Sequence, residues 1–398
     1  MLLSLLAVIN PLQEAIHQNA VGLISPTELG IPAKQALKAA IGKKRVVMLG
    51  ELTHGDGTTF QLKDQLIRFL HAEMGFNVLV WESGLYDCEI MNRAKVENAN
   101  DWARMGVFTH WSNGKESLPV FEFALQAPRK LQMAGFDLQE SGRASNTLYE
   151  EAASWFDAKD AAQQALRAKV LAAIEVVRKG SKDPASAEIK SLRATAADLH
   201  AYAQENAKAL RKQWGKEADF RLKTVENMAA NARLAQLYLG NDFTNSYNLR
   251  ERQNADNLEW LLTKRFPKEK LIVWAHNVHI YKGLSTGSLQ STGRIFTQKR
   301  AKDTYVLGFL GKAGQWSWLG NPPIPFAAPG PDHFESQWPE KLSFLDLSAF
   351  PKDHPIQAPI PGRMNRQREE VIKISWPQGF DGLIFIPVMS PRTSLPPK

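Results

Sequence analysis

The stretch RVVMLGELTHGDGTTF, residues 45–60, decides the fold and carries the first residues suited to chemistry. It opens with a short apolar run containing two valines, a pattern typical of a strand buried on both faces. Glu51 and His54 follow in a glycine-containing loop, after which Thr58 or Thr59 can cap a helix. In open α/β sheets, ligands bind in the crevice at the carboxyl ends of the strands, so this loop is well placed for chemistry.

The same order of apolar strand and polar end recurs further along the chain. The runs 77–81, 131–136 and 271–275 are apolar, and the ionisable or amide side chains that follow them are Glu82, Asp137, His276, Asn277 and His279. Strands buried by helices have little reason to end in this way unless their ends line a polar cleft. We therefore predict an α/β fold with a mostly parallel central sheet flanked by helices.

The composition is that of a globular protein and excludes several kinds of partner. The net charge of +8, from 49 Lys and Arg against 41 Asp and Glu, is spread over 398 residues, so no nucleic-acid footprint is predicted. No apolar run reaches the ~18 residues of a membrane span. The single cysteine, Cys88, excludes an internal disulfide and a cysteine-based metal site. We favour a small buried apolar role for it over catalysis.

The N-terminal residues bear on the cellular location of the protein. Residues 1–9 are apolar but short, with no preceding basic residue and no convincing small-residue cleavage site, so a secretory signal is not predicted. A cytoplasmic location is expected, with a periplasmic one as the alternative if this stretch is the remnant of a signal.

We expect a monomer that has neither a nucleic acid nor a membrane as its partner.

Residues 141–241 differ in character from the rest of the chain. They are rich in Ala, Glu, Lys, Gln and Leu, with helical periodicity and no strand-like run, which predicts a large all-helical insertion. This insertion divides the α/β core into a first part, 1–140, and a second part, 242–398. A coiled-coil partner surface is the alternative, but the heptads are not sustained. The hypothesis that follows is a helical cap that covers the cleft and shapes the substrate pocket.

The remaining segments are expected to complete the sheet and its helical layers. Helices are predicted at 35–41, 86–103 and 248–265, residues 120–125 are expected to be helical or connecting, and apolar runs predict strands at 304–310, 342–347 and 383–388. Residues 10–44 are expected to form a helical lead-in. The tail after Pro391 is expected to be frayed.

His54 is the first candidate for a catalytic residue. A loop imidazole beside a carboxylate can act as a general base, because its pKa lies near neutrality and Glu51 can orient it. Glu51 and Glu82 form a candidate carboxylate pair, one of which could be poised as an acid or base. The alternative is that each carboxylate pairs with an arginine, for which Arg250 and Arg252 are available.

His276 and His279 are three positions apart around Asn277. They could stabilise a developing oxyanion or hold a metal ion, and one of the two is expected to be structural. The metal alternative draws on Glu51-x-x-His54 and His276-x-x-His279, which supply carboxylate and imidazole ligands. The first of these spacings lies in a glycine-flanked loop rather than on a helix, so we favour a site without metal.

Two motif matches are set aside. Residues 283–287, GLSTG, fit G-x-S-x-G, but a nucleophile elbow needs its serine on the turn that joins a strand directly to a helix. Ser285 comes ten residues after the predicted strand end. The loop 50–57 is not a phosphate loop, because it lacks the terminal lysine and Asp56 would repel a phosphate.

Five segments of the chain resemble the erythromycin esterase family. They are GELTHG at 50–55, VWES at 80–83, AGFDLQ at 134–139, RERQNADN at 250–257 and VWAHNVHIYKG at 273–283. The resemblance agrees in order and spacing and runs from about residue 40 to the final strand. The combination of G-E-x-T-H-G with W-A-H-N-x-H is its most specific part.

The resemblance implies a fold, an activity and roles for individual residues. It implies an α/β core with a mainly helical insert and a histidine that activates water for ester or lactone hydrolysis, without metal or cofactor. Some family members open the macrolactone of erythromycin-type antibiotics. Carried across, His54 becomes the general base, Glu51 and Glu82 its acidic partners, His276 and His279 the imidazoles of the second side, and Arg250 a charge partner. We expect Asn277 and Asp137 to bind substrate or pair charge alongside Arg250.

The chain departs from the family at one place. The family often has G-T-R-E-F after the histidine, whereas residues 55–60 read GDGTTF, one residue longer and without the arginine. This difference bears on macrolide hydrolysis more than on hydrolysis in general. The expected function is therefore hydrolysis of a small-molecule ester or macrolactone. The alternatives are a metal-dependent hydrolase using the same residues and a non-catalytic binding protein of the same fold.

Overall fold

Strands and helices alternate in the first part of the chain, from α1 to β3, in the computed structural model, which describes residues 10–180, 183–283, 288–365 and 370–396. The strands are β1 Val21–Gly22, β2 Val46–Leu49, β3 Val78–Gly84, β4 Gln132–Asp137, β5 Leu271–Trp274, β6 Thr304–Trp316, β7 Ile324–Pro325, β8 Ser343–Asp346, β9 Ile360–Asn365, β10 Glu370–Ile374 and β11 Gly382–Met389. The apolar stretch 1–9 and Ser285 lie outside the described residues.

The helices before the long helical segment are α1 Pro11–Asn19, α2 Ile31–Ile41, α3 Gly57–Met74, α4 Leu85–Arg93, α5 Ala99–Gly106, α6 Thr109–Ser112 and α7 Leu118–Gln126. That segment contains α8 Leu148–Ser154, α9 Ala161–Lys179, α10 Ala187–Glu205, α11 Ala207–Trp214, α12 Ala218–Leu239 and α13 Phe243–Trp260. The last helices are α14 Asn277–Ile280, α15 Thr292–Arg300 and α16 Trp376–Gly379. Among these described elements, no helix combines the length and apolarity that a membrane crossing needs.

The central sheet has the strand order β1-β8-β11-β6-β2-β5-β3-β4. The six strands from β11 to β4 run parallel to their neighbours, whereas β8 and β1 are antiparallel additions at one edge. The short β7 pairs with the end of β6, and β9 and β10 form a separate two-stranded sheet. This confirms the predicted α/β fold with a mostly parallel sheet.

Alternating side chains of the central strands enter two apolar layers, one on each face of the sheet. Val47 and Leu49 belong to one layer, and Val46 and Met48 to the other. Burying each such side chain contributes roughly 1.5–3 kcal/mol, which explains why the strands are apolar on both faces. On the first face the Trp81 and Trp274 rings stack, with 4.6 Å between their centroids. These two rings pack beneath the polar ends of the strands.

Between β4 and β5 the described elements are all helical. They form an apolar cluster of their own, in which α10 packs between α9 and α12. Helix α13 then returns the chain to the sheet and packs on β4. The boundaries 141 and 241 of the predicted insertion stay predictions.

Three local predictions are corrected by the structure. Residues 86–103 are two helices rather than one, because Ala94 is extended and Asn98 caps α5 with its side chain. The lead-in is not wholly helical, since β1 pairs with β8. The helix predicted at 248–265 begins at Phe243 and ends in a π turn, Leu261–Arg265.

Candidate active site

The strand order brings the predicted residues to one edge of the sheet. Strands β2, β5, β3 and β4 are successive neighbours and parallel, so their carboxyl ends lie side by side. Glu51 and His54 follow β2, His276 follows β5, Glu82 lies near the end of β3, and Asp137 ends β4. These residues come from segments more than 200 positions apart, and the topology explains why they meet.

The loop that carries Glu51 and His54 is packed too closely for side chains at two of its glycines. A Cβ atom at Gly50 would lie 2.0 Å from Asn277 Oδ1, and one at Gly55 would lie 2.3 Å from the Ser317 carbonyl oxygen. The loop ends at Asp56, whose side chain accepts hydrogen bonds from the Thr58 and Thr59 amides and so caps α3. The cap is therefore Asp56, not Thr58 or Thr59 as the sequence suggested.

Glu51 and His54 form a short hydrogen bond, 2.6 Å between His54 Nδ1 and Glu51 Oε1. A carboxylate on Nδ1 fixes the imidazole tautomer in which Nδ1 carries the proton and Nε2 keeps its lone pair. His54 Nε2 has no hydrogen-bond partner among the described residues, and the side chain is 16% exposed. The Nε2 atom of His54 is thus available as a hydrogen-bond acceptor, and part of the side chain is accessible.

Glu51 is fully buried and yet held in its ionised form. Lys63 Nζ lies 2.6 Å from Glu51 Oε2, and the indole nitrogens of Trp274 and Trp111 donate to Glu51 at 2.9 and 3.3 Å. Burial alone would raise the pKa of Glu51, but the Lys63 ammonium and the hydrogen-bonded His54 lower it to about 2. Burial lowers the pKa of Lys63 to about 8 despite the attraction of Glu51, so the two form an ion pair at neutral pH.

Aromatic rings enclose the His54 imidazole. The His110 ring stacks on it at 5.3 Å, and Trp111 and His276 approach edge-on at 5.1 and 5.3 Å. Trp318 lies 6.4 Å from His54 and 4.5 Å from His110. Burial, together with the charges of His54 and Arg392, lowers the pKa of His110 to about 4, so this imidazole is neutral at physiological pH.

His276 has both ring nitrogens engaged within the protein. Its Nε2 lies 3.0 Å from the Leu52 carbonyl oxygen, and its Nδ1 accepts from the Val278 amide at 3.2 Å, which caps the short helix α14. Burial lowers the pKa of His276 well below its ordinary value, and the neighbouring His54 acts in the same direction. The ring is therefore neutral, and its contacts hold the loop of Glu51 and His54 against the end of β5.

His279 lies between two carboxylates. Its Nδ1 is 2.7 Å from Glu251 Oε1, and its Nε2 is 3.2 Å from Glu82 Oε1. Burial acts to lower the pKa of His279, but Glu251 and Glu82 outweigh it and raise the pKa to about 9. His279 is thus an imidazolium that donates Nδ1–H to Glu251 and forms an ion pair with Glu82 through Nε2.

Arg250 connects the ends of β3 and β4. It forms a two-pronged ion pair with Asp137 and donates to Glu82 Oε1 at 3.3 Å. Burial would raise the pKa of Asp137, but the Arg250 guanidinium holds it below its ordinary value. Glu82 also accepts from the His276 amide at 2.8 Å. The predicted pairing of Glu82 with Arg250 is present, whereas Glu51 pairs with Lys63.

Asn277 joins the loop of Glu51 and His54 to two neighbouring strands. Its side-chain amide donates to the Phe309 carbonyl at 2.7 Å and accepts from the Phe309 amide at 3.1 Å, while its own amide donates to the Glu51 carbonyl. Asn277 therefore positions backbone rather than facing the accessible side of His54. Cys88, which is buried and donates to the Gly106 carbonyl, lies outside this network.

The described residues contain no group of three or more His, Cys, Asp or Glu side chains arranged to hold a metal ion. The imidazoles predicted as ligands in the metal alternative, His276 and His279, would have to give up hydrogen bonds to bind one.

Sequence reasoning missed four residues of this site: Lys63, His110, Trp111 and Glu251. Lys63 lies on the amphipathic helix α3, where a lysine usually indicates a solvated face. His110 and Trp111 belong to an aromatic-rich stretch that the sequence shows without assigning it to the cleft. Glu251 is next to Arg250, and its place in the segment RERQNADN is the signal that could have found it.

The erythromycin esterase family model matches residues 71–389, about four-fifths of the chain. The chain belongs to the erythromycin esterase family. The match includes Glu82, Asp137, Arg250, His276 and His279 and begins after the loop of Glu51 and His54. Family membership supports a hydrolase, as the sequence predicted.

This erythromycin esterase family member is similar to a curated protein in sequence and to a solved structure in fold. A putative hydrolase of Bacillus subtilis, YbfO, is 25% identical over 309 residues, which cover 70% of this chain and 67% of the relative. A crystal structure of a Bacillus cereus protein superposes with a TM-score of 0.76 at 19% identity, covering 97% of this chain and 98% of that one.

A solved erythromycin esterase shares the fold as well. The EreC enzyme, a mutant in its open conformation, superposes with a TM-score of 0.70 at 17% identity, covering 93% of this chain and 97% of that one. At these identities the likeness shows the fold. The predicted family and fold are confirmed, and the roles of single residues stay predictions.

Proposed function

We propose that this protein hydrolyses a carboxylic ester or lactone by direct attack of a water molecule that His54 activates. The observation that carries the proposal is the 2.6 Å hydrogen bond from His54 Nδ1 to an ionised Glu51, which leaves Nε2 free to accept a proton. A base oriented by a carboxylate in this way needs no covalent intermediate, because water itself is the nucleophile.

In the first step His54 Nε2 takes a proton from water while the water oxygen bonds to the carbonyl carbon. Glu51 stabilises the imidazolium that results, and the carbonyl oxygen becomes an oxyanion. In the second step the bond to the leaving oxygen breaks, and the imidazolium returns the proton to that oxygen. Water and ester become acid and alcohol, and the protein ends unchanged.

The oxyanion needs a hydrogen-bond donor on the accessible side of His54. We assign this role to His110, whose neutral ring faces His54 and has no hydrogen bond to a described residue. The predicted donors, His276 and His279, have both ring nitrogens engaged, so we assign them positioning roles. Glu82, Arg250 and Asp137 then form the buried ionic network that fixes the ends of β3 and β4.

The family resemblance makes macrolactones one substrate class to test, with inactivation of a macrolide antibiotic as the corresponding activity. The experiment is hydrolysis of a panel of aryl esters and macrolactones, erythromycin included, by the wild type and His54→Ala, each with and without EDTA. Because general-base catalysis typically contributes about 10²–10⁴-fold, His54→Ala should lower kcat by that factor while the circular dichroism spectrum stays unchanged.

Turnover that survives EDTA and is lost in His54→Ala supports a metal-free histidine base. Turnover that EDTA abolishes points to a metal-dependent hydrolase, and an active His54→Ala contradicts the role of His54. Ser285→Ala is the matched control, since we expect it to be nearly silent. An inactive Ser285→Ala variant would indicate an acyl-enzyme mechanism instead.

A further inference from the structure

The structure contains a cleft of about 770 Å³ whose lining residues neighbour, in sequence, parts of the His54 site. Its walls come from α5 and α6, from residues 141–146, from residues 319–320 and from the C-terminal residues Ser394 and Leu395. Two of these walls continue along the chain into residues whose rings pack on His54. His110 lies in α6, and Trp318 directly precedes residue 319. Residues that line the cleft are thus direct sequence neighbours of two rings that pack on His54.

The charged side chains lining this cleft are basic. Arg104 and Arg143 line it, and neither Asp nor Glu is among its lining residues. Arg104 donates Nη2 to Asn113 Oδ1 at 3.0 Å, and Arg143 is exposed to solvent. Neither arginine forms an ion pair with a described residue, so both guanidinium groups can bind an anion without first breaking an ion pair.

A third guanidinium lies behind the same wall. Arg392 is 4% exposed and donates Nη2 to the Asn113 carbonyl oxygen at 2.9 Å, so Arg104 and Arg392 approach the same residue. The Nε and Nη1 atoms of Arg392 are buried and have no hydrogen-bond partner among the described residues. Unpaired buried donors cost free energy, which an oxygen ligand at this place would recover.

The carboxylates near this wall are already engaged. Glu116, whose charge acts on Arg392, accepts a hydrogen bond from the Thr393 amide. Asp87 lies behind residues 141–146 and accepts from the Ser141 and Ser145 amides. Burial raises the pKa of Asp87 to about 7, which reduces its negative charge near neutrality. The electrostatic potential in the cleft is thus dominated by its arginines.

We propose that this cleft binds a free carboxylate of the substrate, so that the preferred esters are half-esters of dicarboxylic acids or similar anionic esters. The inference rests on the proposed function and names its substrate class. Arginine is suited to this role because its planar guanidinium binds a carboxylate through two parallel, charge-assisted hydrogen bonds.

The first test compares matched ester pairs. The p-nitrophenyl half-esters of succinic, glutaric and adipic acid are compared with p-nitrophenyl butyrate, valerate and hexanoate, which have the same chain lengths without the charge. In the wild type we expect kcat/KM for the best half-ester to exceed that of its neutral match by at least about tenfold, mainly through KM, which corresponds to about 1.4 kcal/mol.

The variants Arg104→Gln and Arg143→Gln should each reduce this anionic-to-neutral ratio several-fold. Arg167→Gln, on the helix α9 of the long helical segment, is the matched control and should leave the ratio unchanged. A wild-type ratio near one, or a ratio that neither cleft variant alters, overturns the proposal. High salt should also lower the ratio in the wild type, because it screens exposed charges.

A direct binding measurement separates failure of this inference from failure of the proposed function. If no ester is hydrolysed, the proposed function fails, but the anion site can still be tested by binding. Monomethyl glutarate is then titrated calorimetrically into the wild type and into the Arg104→Gln/Arg143→Gln double variant. Binding that weakens in the double variant supports the anion site. Equal binding in both proteins, or binding in neither, overturns it.

Discussion

In the proposed mechanism His54 acts as a base while Glu51 stays ionised, and Lys63 contributes most to keeping Glu51 ionised. Removing one partner of a buried ion pair leaves the other charge uncompensated, which typically costs 3–5 kcal/mol. We therefore expect Lys63→Met to lower the free energy of unfolding by about 3–5 kcal/mol. The substitution should also raise the pKa of Glu51 and so shift the acidic limb of the kcat–pH profile to higher pH.

Urea unfolding and the pH profile of kcat measure these two effects separately. Lys63→Arg keeps the positive charge and should retain the acidic limb. Lys208→Met, on an exposed position of α11, is the control for loss of a lysine charge and should change neither quantity. A Lys63→Met variant with wild-type stability and pH profile would show that Glu51 is held by other groups.

His279 gives the fold a pH dependence of known sign. Its pKa is raised from an ordinary 6.5 to about 9 in the folded protein, so its stabilising contribution is fully present below pH 6.5 and is lost as the pH rises through 9. We expect the wild type to lose on the order of 3 kcal/mol more than His279→Gln between these pH values. Parallel urea titrations across this range measure the difference, and identical slopes for both proteins would contradict it.

At the scale of elements, the cap of α3 links helix stability to the active site. Asp56 accepts from the first amides of the helix that carries Lys63 two turns later. Asp56→Ala should lower the free energy of unfolding by about 1–2 kcal/mol, as loss of a helix cap does, and should also lower kcat because Lys63 is displaced. Asp160→Ala, which removes the cap of α9, is the control: we expect a similar loss of stability and an unchanged kcat.

The strands and their polar ends could be predicted from the sequence, because an apolar run that stops at a charged residue reports both burial and a cleft. Glu51, His54 and Glu82 were found in this way. Lys63 and His110 were not, since each lies in a helical stretch where burial depends on tertiary packing. The split of residues 86–103 into α4 and α5 was missed for the same reason: the break at Ala94 has no glycine or proline to mark it.

At the scale of the whole molecule, residues 392–395 hold the loop of Glu51 and His54 in place, contrary to the expectation of a frayed tail. The Arg392 amide donates to the Gly55 carbonyl at 2.8 Å, and the Lys115 amide donates to the Thr393 carbonyl at 2.8 Å. The Leu395 amide donates to the Asn113 carbonyl at 3.0 Å. Residues 392–395 thus connect the His54 loop to the segment that follows His110 and Trp111.

Deleting residues 391–398 should therefore affect catalysis as well as stability. The free energy of unfolding should fall by about 2–4 kcal/mol, since each lost hydrogen bond contributes about 1 kcal/mol. The kcat should fall about tenfold or more. The distance between the His54 and His110 imidazoles would no longer be fixed, and small displacements of reacting groups lower the rate strongly. A chain ending at Leu395 keeps all three backbone hydrogen bonds and is the control for shortening. If the longer deletion lowers the free energy of unfolding but leaves kcat unchanged, the prediction is wrong. The sheet and α6 alone would then position His54 and His110, and residues 391–398 would not be needed for His110 to act as the proposed oxyanion donor.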